Sequence, residues 1–274
     1  MGVAAAKANF DWRFFVLIPA NWLAVGFAFM INDIEDAPDD ALSNKKIRRN
    51  PVAAGMITPK TARISTFLVA LLSAVLFALL GFWPFIFGLA SLILGFLYSY
   101  RGVRLKTIAV FDILSHCLML AGLQFLTGYF AFENTLNENW FWPFIFVVAI
   151  SIYGELYNEI RDIENDRAAN LRHTAITLGD RPAHILMVIT LIIGAFSGVV
   201  SLFMINLIPG WVLLLMAVLS AIFVLPQLIK IKQGDTHMAI QGSLQKPLER
   251  AAALALLLQY LVPWLDQIFK FGWF

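Results

Sequence analysis

Two stretches of this chain repeat one spacing of oxygen-bearing side chains. Asn32, Asp36 and Asp40 step by four residues, and so do Asn158, Asp162 and Asp166. A four-residue step keeps successive side chains on one face of a helix. Glu155 and Glu159 extend the second copy, so that 155, 159, 162 and 166 step by four, three and four along a single acidic stripe. Glu164 lies well round the helix from that stripe. Each copy follows a long apolar run and precedes a basic segment containing proline or glycine. Carboxylate oxygens at two helix ends suit a pair of hard cations such as Mg²⁺, which usually also takes phosphate oxygens from a substrate. Acids kept only for solubility would have no reason to repeat the spacing.

The elements that position these residues are membrane spans. Of the 274 residues, 60% are hydrophobic and only 14% charged, far from the balance of a soluble domain. A span needs about 20 apolar residues. Eight such runs are present, near 12–31, 62–81, 84–100, 107–131, 141–157, 183–204, 208–228 and 251–272. The expectation is one all-α, multi-pass domain over residues 1–274. The first run lacks a small-residue cleavage site and leads straight into the acidic motif, so it does not read as a signal peptide. A net charge of +2 is too small to argue for nucleic acid, and no nucleic-acid partner is expected. The single cysteine, Cys117, allows no internal disulfide, and the four histidines lack zinc-ligand spacing.

Basic residues orient the spans. With the segment after the first span in the cytoplasm, 17 of the 20 lysines and arginines fall on that side; Lys7, Arg13 and Lys270 fall on the other. The positive-inside rule then places both acidic motifs at the cytoplasmic face and both chain ends outside.

Within the first motif, Pro38 predicts a break or kink near Ala37, because proline lacks an N–H and clashes with the carbonyl four residues back. Asp36 precedes the break and is the firmer ligand; whether Asp39 or Asp40 joins it stays open. The following loop, with Asn44, Lys45, Lys46, Arg48, Arg49 and Pro51, reads either as a polyanion clamp or as a topogenic loop near anionic lipid. The fourth span carries Asp112 and His116 one turn apart, as a candidate acceptor site or as an Asp–His hydrogen bond joining helices. The loop at 229–249, flanked by Gln227, Gln241 and Gln245, reads as a lid or a plain connection. Spans six to eight hold no acid before Asp266 and read as walls.

These residues resemble the UbiA-type intramembrane prenyltransferase superfamily, a resemblance that implies a helical bundle around a central cavity open to the cytoplasmic side. Its first signature, Asn-Asp-x-x-Asp-x-x-x-Asp, matches Asn32, Asp33, Asp36 and Asp40. Its Arg-then-Pro segment looks like Arg49 to Pro51, followed by Gly55. Its Tyr-Ser…Arg-Leu-Lys turn is similar to Tyr98, Ser99, Arg104 and Lys106. The second signature falls on Glu159, Asp162 and Asp166, with Glu in place of the first Asp. Thr174 to Gly179 resembles a later segment, with His173 where a lysine often sits. The likeness is close from Asn32 to about Gly179, and beyond that rests on hydropathy. Members usually have nine spans with this signature after the second; here it follows the first, so the family's first helix has no counterpart, which bears on how the cavity closes.

The resemblance implies Mg²⁺-dependent transfer of a prenyl group from a prenyl diphosphate to a lipophilic acceptor within the lipid membrane. Asp36 and Asp162 become the leading catalytic ligands, with Asp40, Glu159 and Asp166 completing the metal set. Asn32, Arg49, Arg104, Lys106, Asn158 and Arg172 become diphosphate-binding candidates. Asp112, His116 and Glu155 are left for the acceptor or for support of the ligands. A divalent-cation transporter, or a non-catalytic scaffold of the same fold, is the competing expectation. A transporter calls for acids near the bilayer midplane, whereas these lie at one face among cations.

Overall fold

The computed structural model describes residues 1–42, 46–168, 172–204, 207–229 and 237–269. Among them all regular structure is helical. Eight segments are long and apolar enough to cross a membrane: Trp12–Asp40, Pro59–Leu80, Phe82–Ser99, Phe111–Phe130, Phe141–Glu164, Asp180–Phe203, Gly210–Leu228 and Lys246–Ile268. The chain divides into two compact units, Met1–Met204 and Ile205–Phe274. Every candidate site residue falls in the first.

In the first unit a short helix α1 (Gly2–Ala5) packs against a later span. The second helix, α2 (Trp12–Asp40), starts at Asp11, whose carboxylate accepts the Arg13 N–H at 2.8 Å. It packs on α3 (Pro59–Leu80) and α4 (Phe82–Ser99) through Leu17, Ala20, Ala24 and Phe27 against Phe77, Leu80 and Leu92. Ser73 Oγ donates to the Ala20 carbonyl at 2.9 Å, a side-chain bond between helices where no water competes. Gly81, with φ at 122°, makes the tight turn from α3 to α4 that a side chain would strain. Large apolar residues such as Phe15, Trp22, Phe29 and Phe67 are exposed, as a chain solvated by lipid requires.

The helix continues through Pro38 instead of breaking at Ala37. The loop explains the difference. Asn50, 2% exposed, donates its amide both to the Asp33 carbonyl at 2.8 Å and to Asp40 Oδ2 at 2.9 Å. Its Oδ1 accepts from the N–H groups of Val52 and Ala53, so the turn at Pro51 is built around the same side chain. A helix end braced on both sides of a proline tolerates the lost backbone bond.

Beyond α4 the chain makes a 3₁₀ turn (Leu105–Thr107) and enters the fourth span. That span is α5 (Phe111–Cys117), a π-helical turn (Leu118–Gly122) and α6 (Leu123–Phe130). The Met119 carbonyl in the π turn accepts from Ser91 Oγ at 3.0 Å and Gln124 Nε2 at 3.2 Å, which supplies polar partners where the regular ladder is interrupted. Next come α7 (Phe141–Ala168), the short α8 (Thr174–Leu178) and α9 (Asp180–Val199). Gly194 and Gly198 let α9 lie close against Ile150 and Phe146 of α7. In the second unit α10 (Gly210–Leu228) pairs with α11 (His237–Phe269).

Candidate functional site

The last turns of α2 meet the cationic turn after α4. Lys106 Nζ donates to Asn32 Oδ1 at 2.8 Å and Asp36 Oδ2 at 2.5 Å. Arg104 Nη2 bridges Asp36 Oδ1 at 3.1 Å and Asp39 Oδ2 at 3.0 Å. Arg101 adds a second pair to Asp39 at 3.0 Å, and its backbone N–H and Nε bind Glu35. Burial pulls the Lys106 ammonium below the ordinary lysine pKa, against the opposing pull of Asp36. Arg104 reaches this position with φ at 52°, in the left-handed region. Asp39 shares Arg104 with Asp36, while Asp40 turns to Asn50.

The second motif lies on α7 and is organised by a residue that spacing did not single out. His173, 4% exposed, places Nδ1 3.2 Å from Glu159 Oε2 and Nε2 3.2 Å from Asp166 Oδ2. Residues seven apart stand two turns apart on one face, so a single imidazole spans the pair. Burial works against its charge, but the bonds to Asp166 and Glu159 prevail and raise its pKa from 6.5 to about 9. Glu159 Oε2 also accepts the Ala175 N–H at 2.9 Å.

Asp112 and His116 part company. Asp112, 1% exposed, accepts from Thr174 Oγ1 at 2.5 Å, from the Thr174 N–H, and from the Ile113 N–H at 2.7 Å. Thr174 Oγ1 in turn accepts the N–H of Val110 at 2.6 Å. Val110 is a β-branched residue with φ at 73°, a costly conformation held by these bonds. Asp112 is therefore a latch: it fastens the 173–175 segment, and His173 with it, to α5. His116 contacts Glu155 instead, with Nε2 3.3 Å from Oε2, and the Tyr98 hydroxyl donates to Glu155 Oε1 at 3.0 Å.

Adjacent residues at the end of α4 tie the two motifs together. Ser99 Oγ donates to Asn32 Oδ1 at 3.1 Å, and Tyr98 reaches Glu155 on the stripe of the second motif. Both acidic clusters thus stand at the same end of α4. Asp162 is half-exposed and pairs with its neighbour Arg161 at 2.8 Å. Asn158, Arg49 and Arg172 are exposed and the structure does not draw their side chains into either cluster. Asn44, Lys45, Lys230, Lys232 and Lys270 lie outside the described residues, as do the side chains of Gln241 and Gln245.

The donor set fits a hard divalent cation. Carboxylate and amide oxygens of Asn32 and Asp36, of the kind such a cation takes, hold two cationic groups, Lys106 and Arg104. Asp112, Glu159 and His173 each offer one ligand atom, all within 4.8 Å of one another.

The family model described as the UbiA prenyltransferase family matches residues 1–241. The chain belongs to this family. The match runs past Gly179, where the likeness of motifs ends. This UbiA protein is 26% identical over 203 residues to the digeranylgeranylglyceryl phosphate synthase of Sulfolobus acidocaldarius, covering 74% of this chain and 70% of that one. Its fold matches a UbiA homologue from Archaeoglobus fulgidus solved with GPP and Mg²⁺, with a TM-score of 0.66 at 18% identity over 95% of this chain and 94% of that one. An apo UbiA homologue from Aeropyrum pernix K1 gives 0.69 at 15% identity, covering 96% and 94%. The chain is thus a multi-pass membrane prenyltransferase with the all-helical UbiA fold.

Proposed function

We propose that this protein transfers the prenyl group of a prenyl diphosphate to a lipophilic acceptor, with Mg²⁺, at the cytoplasmic face of its membrane. The carrying observation is the pairing of Asn32 and Asp36 with Lys106 and Arg104 at the helix end that also reaches the second acidic stripe. A prenyl diphosphate is a polyanionic head on an apolar tail. The head needs cations at a membrane face and the tail needs apolar helices beyond it.

Asn32, Asp36 and Asp40 on α2, with Glu159, Asp162 and Asp166 on α7, would hold the metal ions. Bound there, Mg²⁺ neutralises the charge that gathers on the departing diphosphate. Lys106 and Arg104, which now pair with Asp36, would bind the phosphate oxygens, together with Arg49, Arg172 and Asn158. Lys106 and Arg104 already stand at this helix end, and charges placed before reaction are what makes such electrostatic stabilisation effective. The apolar span interiors keep water from the allylic carbon while it carries positive charge. The relative from Sulfolobus and the GPP- and Mg²⁺-bound homologue from Archaeoglobus support this reading. The placing of 17 of 20 basic residues on one side supports the cytoplasmic orientation, with both chain ends opposite.

The test is incubation of the purified protein with labelled prenyl diphosphates, Mg²⁺ and a lipid extract, followed by mass spectrometry. A lipid product heavier by one prenyl unit, absent with EDTA, is the expected result. Consumption of no prenyl diphosphate, alongside divalent-cation flux in liposomes, would replace the reading with transport.

A further inference from the structure

The basic residues near the first acidic end divide by where they face. Arg101, Arg104 and Lys106 turn to carboxylates of α2. Arg48, Lys60 and Arg63 are exposed and meet no carboxylate among the described residues. No Asp or Glu lies in the chain between Asp40 and Asp112, so no acidic neighbour in sequence offsets them. Arg49, assigned above to the diphosphate, is set aside.

The helix α3 shows which way its own two cations point. Ala62, Thr66 and Ser73 are buried against the bundle. Ile64, Phe67, Leu68 and Leu71 are exposed on the other side, the face that lipid solvates. Lys60 and Arg63 stand four residues before Ile64 and Phe67, so they head that same face. At 1.5 Å per residue, the 22 residues of α3 span about 33 Å, close to the ~30 Å of a bilayer's hydrocarbon core. Exposed Phe82 and Trp83 mark the far interface. Lys60 and Arg63 therefore lie at headgroup level, where their charged tips reach lipid phosphates while their stems cover acyl chain.

The loop before α3 sets Arg48 beside them. The Pro51 carbonyl accepts the N–H groups of Met56 at 2.9 Å and Ile57 at 3.2 Å, which closes a turn. Arg48 precedes that closure by three residues and Lys60 follows it by three. Asn50 pins the turn to the end of α2. Met56, 79% exposed, adds an apolar side chain that gains more from the leaflet than from water.

We propose that Arg48, Lys60 and Arg63 form a binding surface for the phosphate headgroups of anionic membrane lipids. In a zwitterionic lipid the phosphate is cancelled by its own amine. In an anionic leaflet each basic residue near the surface strengthens the contact about fivefold. Basic residues that only set topology would need neither a common lipid-facing side nor a braced turn. The inference does not depend on the chemistry performed at the acidic ends.

The experiment uses the full chain in detergent with equal amounts of phosphatidylglycerol and phosphatidylcholine added, and native mass spectrometry to count the lipids that stay bound. Wild type should retain phosphatidylglycerol in excess, and the excess should shrink as salt is raised. Arg48→Gln, Lys60→Gln and Arg63→Gln should each cut it about fivefold, and the triple variant most. Lys60→Arg combined with Arg63→Lys keeps the charge and should keep the excess. Added pyrophosphate should leave the bound lipid in place. Equal retention of the two lipids by wild type overturns the proposal, as does an undiminished excess in a triple variant that melts like wild type. Displacement of phosphatidylglycerol by pyrophosphate overturns it too, and gives these cations to a free diphosphate instead. Should the triple variant fail to fold, the three single variants are read in its place.

Discussion

The two acidic ends of this enzyme are neutralised in different ways. On α2, the carboxylates face lysine and arginine side chains brought in by the turn after α4. On α7, Glu159 and Asp166 share one buried histidine, whose charge depends on them, while Asp162 keeps only the adjacent Arg161. The first end is thus a cluster of opposite charges, open to rearrangement by the diphosphate and metal of the proposed reaction. The second is a fixed frame with one exposed carboxylate, Asp162. Tight framing costs adaptability: His173 can move only if the Asp112–Thr174 latch opens with it.

The sharpest way to break this comparison is to neutralise one carboxylate at each end. Asp36→Asn and Asp162→Asn should each lower prenyl transfer by at least about 10²–10³, the usual cost of a missing charge-stabilising group. If both ends act on one leaving group, as proposed, the double variant should lose less than the product of the two. Raised Mg²⁺ should restore part of each single loss. Steady-state rates across a Mg²⁺ titration decide this, and normal turnover by Asp162→Asn at low Mg²⁺ would make the second end structural.

The latch comes next. Asp112→Ala leaves the Thr174 donors unpaired in a buried place and should destabilise the protein by on the order of 3 kcal/mol. A thermal melt in detergent reads this, and Asp112→Asn, which keeps one acceptor oxygen, should fall between. If Asp112→Ala melts like wild type, the frame at α7 does not depend on the latch.

Lys106→Ala should weaken prenyl diphosphate binding about 10- to 100-fold, as loss of a charge-assisted bond does. A prenyl alcohol of the same length should bind as before. Equal weakening for the alcohol would reveal a packing defect.

The smallest effect separates the ends by pH. The folded-state pKa of His173, about 9, lies above its ordinary 6.5. Its stabilisation is therefore complete below about pH 6.5 and is lost as pH rises through about 9. Metal-free wild type should lose melting temperature across that window, and His173→Gln should lack that component. His173→Lys should hold the plateau to higher pH. An unchanged slope in His173→Gln would show that another group titrates there.

The eight spans and both motifs were legible because they are local: hydropathy over some twenty residues, and oxygen donors at helical spacing. The partners were not. A run of apolar residues reads the same whether its ladder is α or π, so the turn at Leu118–Gly122 leaves no mark in the sequence. Pro38 predicts a break only if nothing braces it, and the brace, Asn50, comes from the next loop. Asp112 and His116, one turn apart, looked like a pair because the sequence shows spacing, not the residues 62 and 39 positions away that claim each of them. His173 was masked by the search for metal-ligand spacing among histidines, although its seat beside the second motif was a usable signal.

Tyr98 and Ser99, neighbours in the chain, have a consequence for how this protein can change. Inserting or deleting one residue within α4 would turn its end by about 100° and advance or withdraw it by about 1.5 Å. Ser99 would leave Asn32 and Tyr98 would leave Glu155 in the same event. Length variation that loops absorb freely is therefore barred from this helix, and the two half-sites can drift only together.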